Sequence, residues 1–116
     1  MNPFQIKTLD QNGVIVFGVG GYFEVNAGKQ LRAYVEERVQ AGKLRFVLDL
    51  TDCKVINSLG VAAVLDIAVK VIDDYRGKLV LSGLDAMKTS VFTLAGIIPY
   101  LPAVKTMAEA VKLAAA

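Results

Sequence analysis

The sequence contains no histidine and no tryptophan, and Cys53 is its only cysteine. Without histidine, the chain has neither the Ser-His-Asp nor the Cys-His arrangement that activates a nucleophile, and no zinc motif that includes histidine. A single cysteine excludes an internal disulfide, a CxxC redox pair and a cluster of thiolate ligands. No catalytic or metal-binding constellation is left, so we expect a protein that is not an enzyme and has no cofactor.

Long apolar runs and a strong charge bias are also missing. The apolar run from Leu59 to Leu65 ends at Asp66, far below the length of a membrane span, and the first residues lack the features of a signal peptide. Thirteen basic and eleven acidic residues give a net charge of +2, and the basic residues are scattered. We therefore expect a cytoplasmic protein that neither inserts into membranes nor binds nucleic acid.

Apolar residues, by contrast, are abundant. Of the 116 residues, 54% are hydrophobic and 21% are charged, a composition that supports a sizeable core and excludes a disordered chain. The length fits one domain, which we assign to residues 1–116.

Apolar periodicity and the positions of glycine and proline predict the order of the elements. Strands are predicted at residues 4–7, 14–19, 44–50 and 78–82, with a short edge strand at 97–102. Helices are predicted after a cap at Asn26, at 58–75 after a cap at Asn57, at 84–94, and after a Thr106–Glu109 capping box. The unbroken apolar residues 46–48 predict a strand that is buried on both faces. The whole pattern predicts an α/β domain.

Two features suggest catalytic or nucleotide sites but are better explained as structure. The glycines at 18, 20 and 21 lack the third glycine of a dinucleotide-binding fingerprint, because Phe23 stands in its place. Asp49 and Asp52 resemble an acid–base pair, but no second motif accompanies them, so we interpret Asp52 as the start of a turn. Cys53 is best explained as a small buried apolar residue.

The segment Asn57-Ser58-Leu59-Gly60 lies between the buried strand and an apolar helix. Asn57 is expected to cap the helix, which places Ser58 in the first turn, near unpaired N–H groups and the positive end of the helix dipole. A phosphate on Ser58 would be well accommodated there. Gly60 is expected to keep bulk off this rim, so that another protein can approach closely. From the spacing alone, a plain helix start is the simpler interpretation.

Three segments follow one another along the chain: FVLDL at 46–50, INSLGVAAVL at 56–65 and VFTLAGI at 91–97. Together they resemble the STAS domains of bacterial anti-sigma factor antagonists, over nearly the whole chain. The resemblance implies a mixed sheet of four to five strands, with about four helices packed chiefly on one face. It also implies partner switching, in which the unmodified protein binds an anti-sigma factor that is also a serine kinase. Phosphorylation blocks that binding, and a phosphatase restores it.

By this resemblance, the phosphoacceptor is Ser58, and Glu24 matches an acidic residue that follows the second strand. Together with Asn57, Leu59 and Gly60, these residues form the predicted partner-binding surface. Two of them depart from the family pattern of Asp-Ser-Ser/Thr-Gly. Asn57 replaces the aspartate, which keeps the cap and loses a charge, and Leu59 replaces the second hydroxyl residue.

Two other functions stay open on the sequence alone. One is a non-phosphorylated STAS subunit of a lipid transport system that binds the transporter's ATPase, which the departures at Asn57 and Leu59 favour more than a perfect motif would. The other is a small-ligand sensor that uses the same rim. In each case we expect a monomer or a weak dimer.

Overall fold

The computed structural model describes residues 3–116, and it confirms the predicted α/β fold. The strands are β1 (Phe4–Gln11), β2 (Val14–Phe23), β3 (Arg45–Asp49), β4 (Cys53–Ile56), β5 (Lys78–Ser82) and β6 (Ala103–Val104). The helices are α1 (Val25–Gln40), α2 (Ser58–Ala68), α3 (Ala86–Leu94) and α4 (Met107–Ala115), and a π-helical segment, Val69–Asp74, continues α2.

The sheet is mixed, as expected, with the strand order β1-β2-β3-β5-β6. β1 runs antiparallel to β2, and the other pairs are parallel. β2 pairs with β3 only as far as Gly18 and Asp49, and it continues beyond the end of β3. β4, a strand that the sequence did not predict, pairs with the remaining half of β2. This extra pairing brings the residues that follow β2 and β4 to one edge of the sheet.

Helices α1, α2 and α3 contribute to the main core on one face of the sheet, whereas α4 packs on the other face. β3 lies between the two layers: Leu48 points into the main core and Val47 points toward α4, and both side chains are buried. The predictions of a strand buried on both faces and of helices chiefly on one face are therefore confirmed. Within residues 3–116, no helix combines the length and apolarity needed to cross a membrane.

Two predicted details are wrong. Asn26 does not cap α1, because the helix begins one residue earlier, at Val25, with Glu24 in the N-cap position. Residues 97–102 form turns instead of an edge strand, since Pro99 and Pro102 have no N–H to donate to a sheet. The edge strand is the two-residue β6 that follows them.

Candidate functional site

Two strand-to-helix junctions meet at one edge of the sheet. Phe23 ends β2 and pairs with Ile56, the last residue of β4. Because these strands are parallel neighbours, the next residue of each, Glu24 and Asn57, emerges on the same side. The Asn57 N–H donates to the Phe23 carbonyl at 3.2 Å, which fixes the two junctions to each other. The structure thus brings Glu24 next to Asn57, which Ser58 and Leu59 follow in the chain. We call Glu24, Asn57, Ser58 and Leu59 the Ser58 rim.

The side-chain amide of Asn57 forms hydrogen bonds at both junctions, as an acceptor at one and as a donor at the other. Its Oδ1 accepts from the Gly60 N–H at 2.9 Å, which confirms the predicted helix cap. Its Nδ2 donates to Glu24 Oε2 at 3.4 Å. An aspartate here would also cap α2, but it would set a second negative oxygen against the Glu24 carboxylate. The Asn57 side chain therefore makes a hydrogen bond to Glu24 that an aspartate could not donate.

Ser58 is the first residue of α2, and its side chain is exposed. Its hydroxyl makes no hydrogen bond within residues 3–116. The Gly60 N–H is occupied by Asn57, while the N–H groups of Ser58 and Leu59 have no carbonyl one turn earlier in the helix to accept from them. Ser58 therefore presents a free hydroxyl beside unpaired donors and the positive end of the helix dipole.

Gly60 is on this helix turn but is buried, and it does not form part of the exposed rim. A Cβ atom at this position would collide with the Phe23 carbonyl oxygen and would lie 2.8 Å from the Ile56 side chain. The expectation that Gly60 clears the surface for a partner is therefore corrected. Its missing side chain allows α2 to pack directly on the end of β2, and this close packing holds Ser58 in place.

Exposed apolar side chains lie on the strands and helices that form the two junctions. Leu59 is 53% exposed, Tyr22 47% and Val25 39%, and Val55, which pairs with Tyr22 across β2 and β4, is 49% exposed. Clustered exposed apolar residues are typical of surfaces that bind another protein. Of these four residues, Leu59 is predicted from the sequence, whereas Tyr22, Val25 and Val55 are not. Alternation along β2 was the available signal for Tyr22, because its neighbour Phe23 points into the core.

Asp49 and Cys53, an acidic and a thiol group near this edge, form hydrogen bonds within the fold. Asp49 Oδ1 accepts from Ser82 Oγ at 2.7 Å and from Thr51 Oγ1 at 3.0 Å, a network that joins the ends of β3 and β5. Burial raises the pKa of the Cys53 thiol, which keeps it neutral, although the charge of Lys88 opposes this effect. Among the described residues, no group of three or more acidic or thiol side chains is arranged to hold a metal ion.

We expect Asn57→Ala to lower the free energy of unfolding by about 1 kcal/mol, because it removes the cap of α2. Urea denaturation measures this loss. Asn57→Asp keeps the cap but places a carboxylate beside Glu24, so adding Glu24→Gln to it is expected to recover stability. Wild-type stability in Asn57→Ala would contradict the role of this side chain as the cap of α2. No recovery in the double variant would contradict its role as a donor to Glu24.

The chain matches one protein family and is similar to several solved structures. The profile of the STAS domain family matches residues 5–110. A proposed anti-sigma factor antagonist from Thermotoga maritima is similar in structure, with 16% identity, coverage of 96% of this chain and 95% of that chain, and a TM-score of 0.85. The phosphorylated form of SpoIIAA, a cell fate determinant of Bacillus, has 21% identity, coverage of 95% and 97%, and a TM-score of 0.72.

A sulfate transporter family protein from Wolinella succinogenes is also similar, with 18% identity, coverage of 92% of this chain and 88% of that chain, and a TM-score of 0.79. At these identities the likeness to solved structures shows a shared fold alone. A search among curated proteins gives no significant match.

Proposed function

Since the chain belongs to the STAS domain family, we propose that it acts as an anti-sigma factor antagonist controlled by phosphorylation of Ser58. In this proposal the Ser58 rim binds an anti-sigma factor, which is also the serine kinase that modifies it. The protein acts by exchanging partners and carries out no reaction itself. The observation that carries the proposal is the free, exposed Ser58 hydroxyl at the start of α2, with the exposed side chain of Leu59 next to it in the helix.

The position of Ser58 suits a phosphoacceptor. Its hydroxyl is exposed, so a kinase can reach it without unfolding the domain. A phosphoserine carries about −1.5 to −2 charges at neutral pH, and a helix N-terminus stabilises such an anion. Asn57 adds no negative charge of its own next to the phosphate. Modification is therefore compatible with the folded domain.

The same position makes partner binding sensitive to phosphorylation. Leu59 is the residue next to Ser58, and Val25 begins the neighbouring helix α1. A partner that packs on these apolar side chains must also cover Ser58. A dianion at the centre of that contact would be stripped of water without a positive group to pair with it. The Glu24 carboxylate, held by Asn57, adds to the local negative charge.

The test is phosphate transfer from the partner. Immobilised protein captures binding proteins from a lysate of the source cells, and each captured ATPase is purified and incubated with labelled ATP. We expect label on the wild type and none on Ser58→Ala. Ser90→Ala is the matched control, because Ser90 is an exposed serine of α3 outside the rim. Equal labelling of Ser58→Ala and wild type would contradict the assignment of Ser58.

One observation favours a second function. Leu59, which is 53% exposed, occupies the position at which the family pattern has a hydroxyl residue. It adds an apolar side chain to the Ser58 rim that phosphorylation does not change. A STAS subunit that binds the ATPase of a lipid transporter without phosphorylation would use such an apolar contact. Capture of a transporter ATPase, without phosphate transfer to Ser58, would favour this function over the first.

A further inference from the structure

A shallow pit lies on the face of the sheet that carries α4, away from the Ser58 rim. On this face of β2, Val14 and Val16 are covered by α4, and Gly18 follows them where the cover ends. A Cβ atom at Gly18 would meet nothing within 4 Å, and the backbone there does not have a positive φ. The fold therefore does not require glycine. A glycine within a strand often marks the close approach of a ligand.

Strand register places opposite charges on the two sides of Gly18. Lys7 of β1 and Asp49 of β3 are both paired with Gly18, so their Cα atoms are about 10 Å apart. Met107 of α4 lies at the pit as well. The side chains of Gln5 and Asp52 both lie close to Gly20, the next residue on this face, and line the pit. The volume of the pit is about 120 Å³.

Among the described residues, Lys7 and Asp49 do not form an ion pair with each other across the pit. Lys7 forms no ion pair within residues 3–116. Both hydroxyl groups that donate to Asp49 do so at Oδ1, which anchors the carboxylate and leaves Oδ2 without a donor among the described residues. Asp52 adds a second carboxylate on the same side. The pit thus has a cation on one wall, carboxylates on the other, and an open glycine floor between them.

From this arrangement we propose that the pit binds a small zwitterion of the α-amino acid class. The carboxylate of the ligand pairs with Lys7, its ammonium group pairs with Asp49 and Asp52, and a short apolar side chain contacts Met107. The volume suits a ligand of about six non-hydrogen atoms, since a dry cavity of about 150 Å³ holds benzene. The site is independent of phosphorylation and of any protein partner.

Titration of the ¹⁵N-labelled protein with L-alanine tests the site by NMR. We expect saturable shifts of the amide signals of Gly18, Gly20 and Asp49 below about 10 mM ligand. Acetate and methylammonium each carry only one of the two charges, so each is expected to bind at least about tenfold more weakly. Unsaturable shifts with L-alanine, or equal binding of the three compounds, would overturn the proposal.

Two variants separate a ligand site from a structural role. Gly18→Val adds side-chain bulk to the pit, and its Cβ would meet nothing within 4 Å, so it is expected to abolish the shifts at unchanged or higher melting temperature. Thr8→Val is the matched control, since Thr8 is an exposed residue of β1 that pairs with Phe17. Lys7→Gln is expected to weaken alanine binding about tenfold or more. If Gly18→Val and Lys7→Gln lower the melting temperature equally and alanine causes no shifts, Gly18 and Lys7 have a structural role alone, and the proposal is wrong.

Discussion

Replacement of Gly60 by alanine is expected to destabilise the protein by about 3 kcal/mol, although alanine is the better helix former. The added Cβ would collide with the Phe23 carbonyl oxygen, which belongs to the backbone and cannot rotate away. The start of α2 must therefore move away from β2, and the hydrogen bond from Asn57 N–H to that carbonyl would lengthen or break. A loss of about 3 kcal/mol is a large fraction of the total stability of a domain.

Urea denaturation of a graded set of glycine variants checks this prediction. At Gly28 of α1, a Cβ would lie 2.8 Å from the Ala63 side chain of α2, so Gly28→Ala is expected to cost less than Gly60→Ala. At Gly18 a Cβ would meet nothing within 4 Å, and Gly18→Ala is expected to be neutral or stabilising. Partner binding is expected to weaken in Gly60→Ala alone, because only this substitution displaces the turn that carries Ser58 and Leu59. Equal stability of all three variants would contradict the role assigned to Gly60.

The start of α2 could be predicted from sequence because its determinants are local. Asn57 is a favoured capping residue, Gly60 lies three residues further on, and a long apolar helix follows them. The buried strand β3 was equally clear, since an apolar run followed by a polar turn identifies a central strand without knowledge of its partners. These features depend on residues that are close to one another in the chain.

The rest of the rim depends on pairing between distant segments, which one sequence does not reveal. β4 is a strand only because β2 extends beyond the end of β3. The backbone N–H and C=O groups of that part of β2 are then available to pair with Cys53–Ile56. The hydrogen bond between Asn57 and Glu24 follows from that pairing. α1 begins at Val25 even though Asn26 is the better capping residue, because the chain turns directly after β2. Local preference is overruled here by the geometry of the sheet.

The largest functional effect is expected from a negative charge at position 58. Ser58→Asp is predicted to weaken the complex with the captured partner about 100-fold, which corresponds to about 3 kcal/mol of binding free energy. The charge would lie beside Leu59 and close to the Glu24 carboxylate held by Asn57, so a partner must desolvate it within an apolar contact. The folded domain is expected to keep its stability or gain slightly, since an acidic residue favours a helix N-terminus.

Calorimetric titration of the partner with four forms isolates the effect of charge from that of shape. Ser58→Asn has nearly the shape of Ser58→Asp without its charge, and it is expected to bind within a few fold of the wild type and of Ser58→Ala. Thermal melts of each form verify that the domain is folded. Ser58→Asp and Ser58→Asn with the same affinity would show that charge at this helix start does not control binding. Since the Ser58 hydroxyl has no hydrogen-bond partner in the described residues, its removal in Ser58→Ala costs the fold nothing, and any loss of affinity in that variant belongs to the complex.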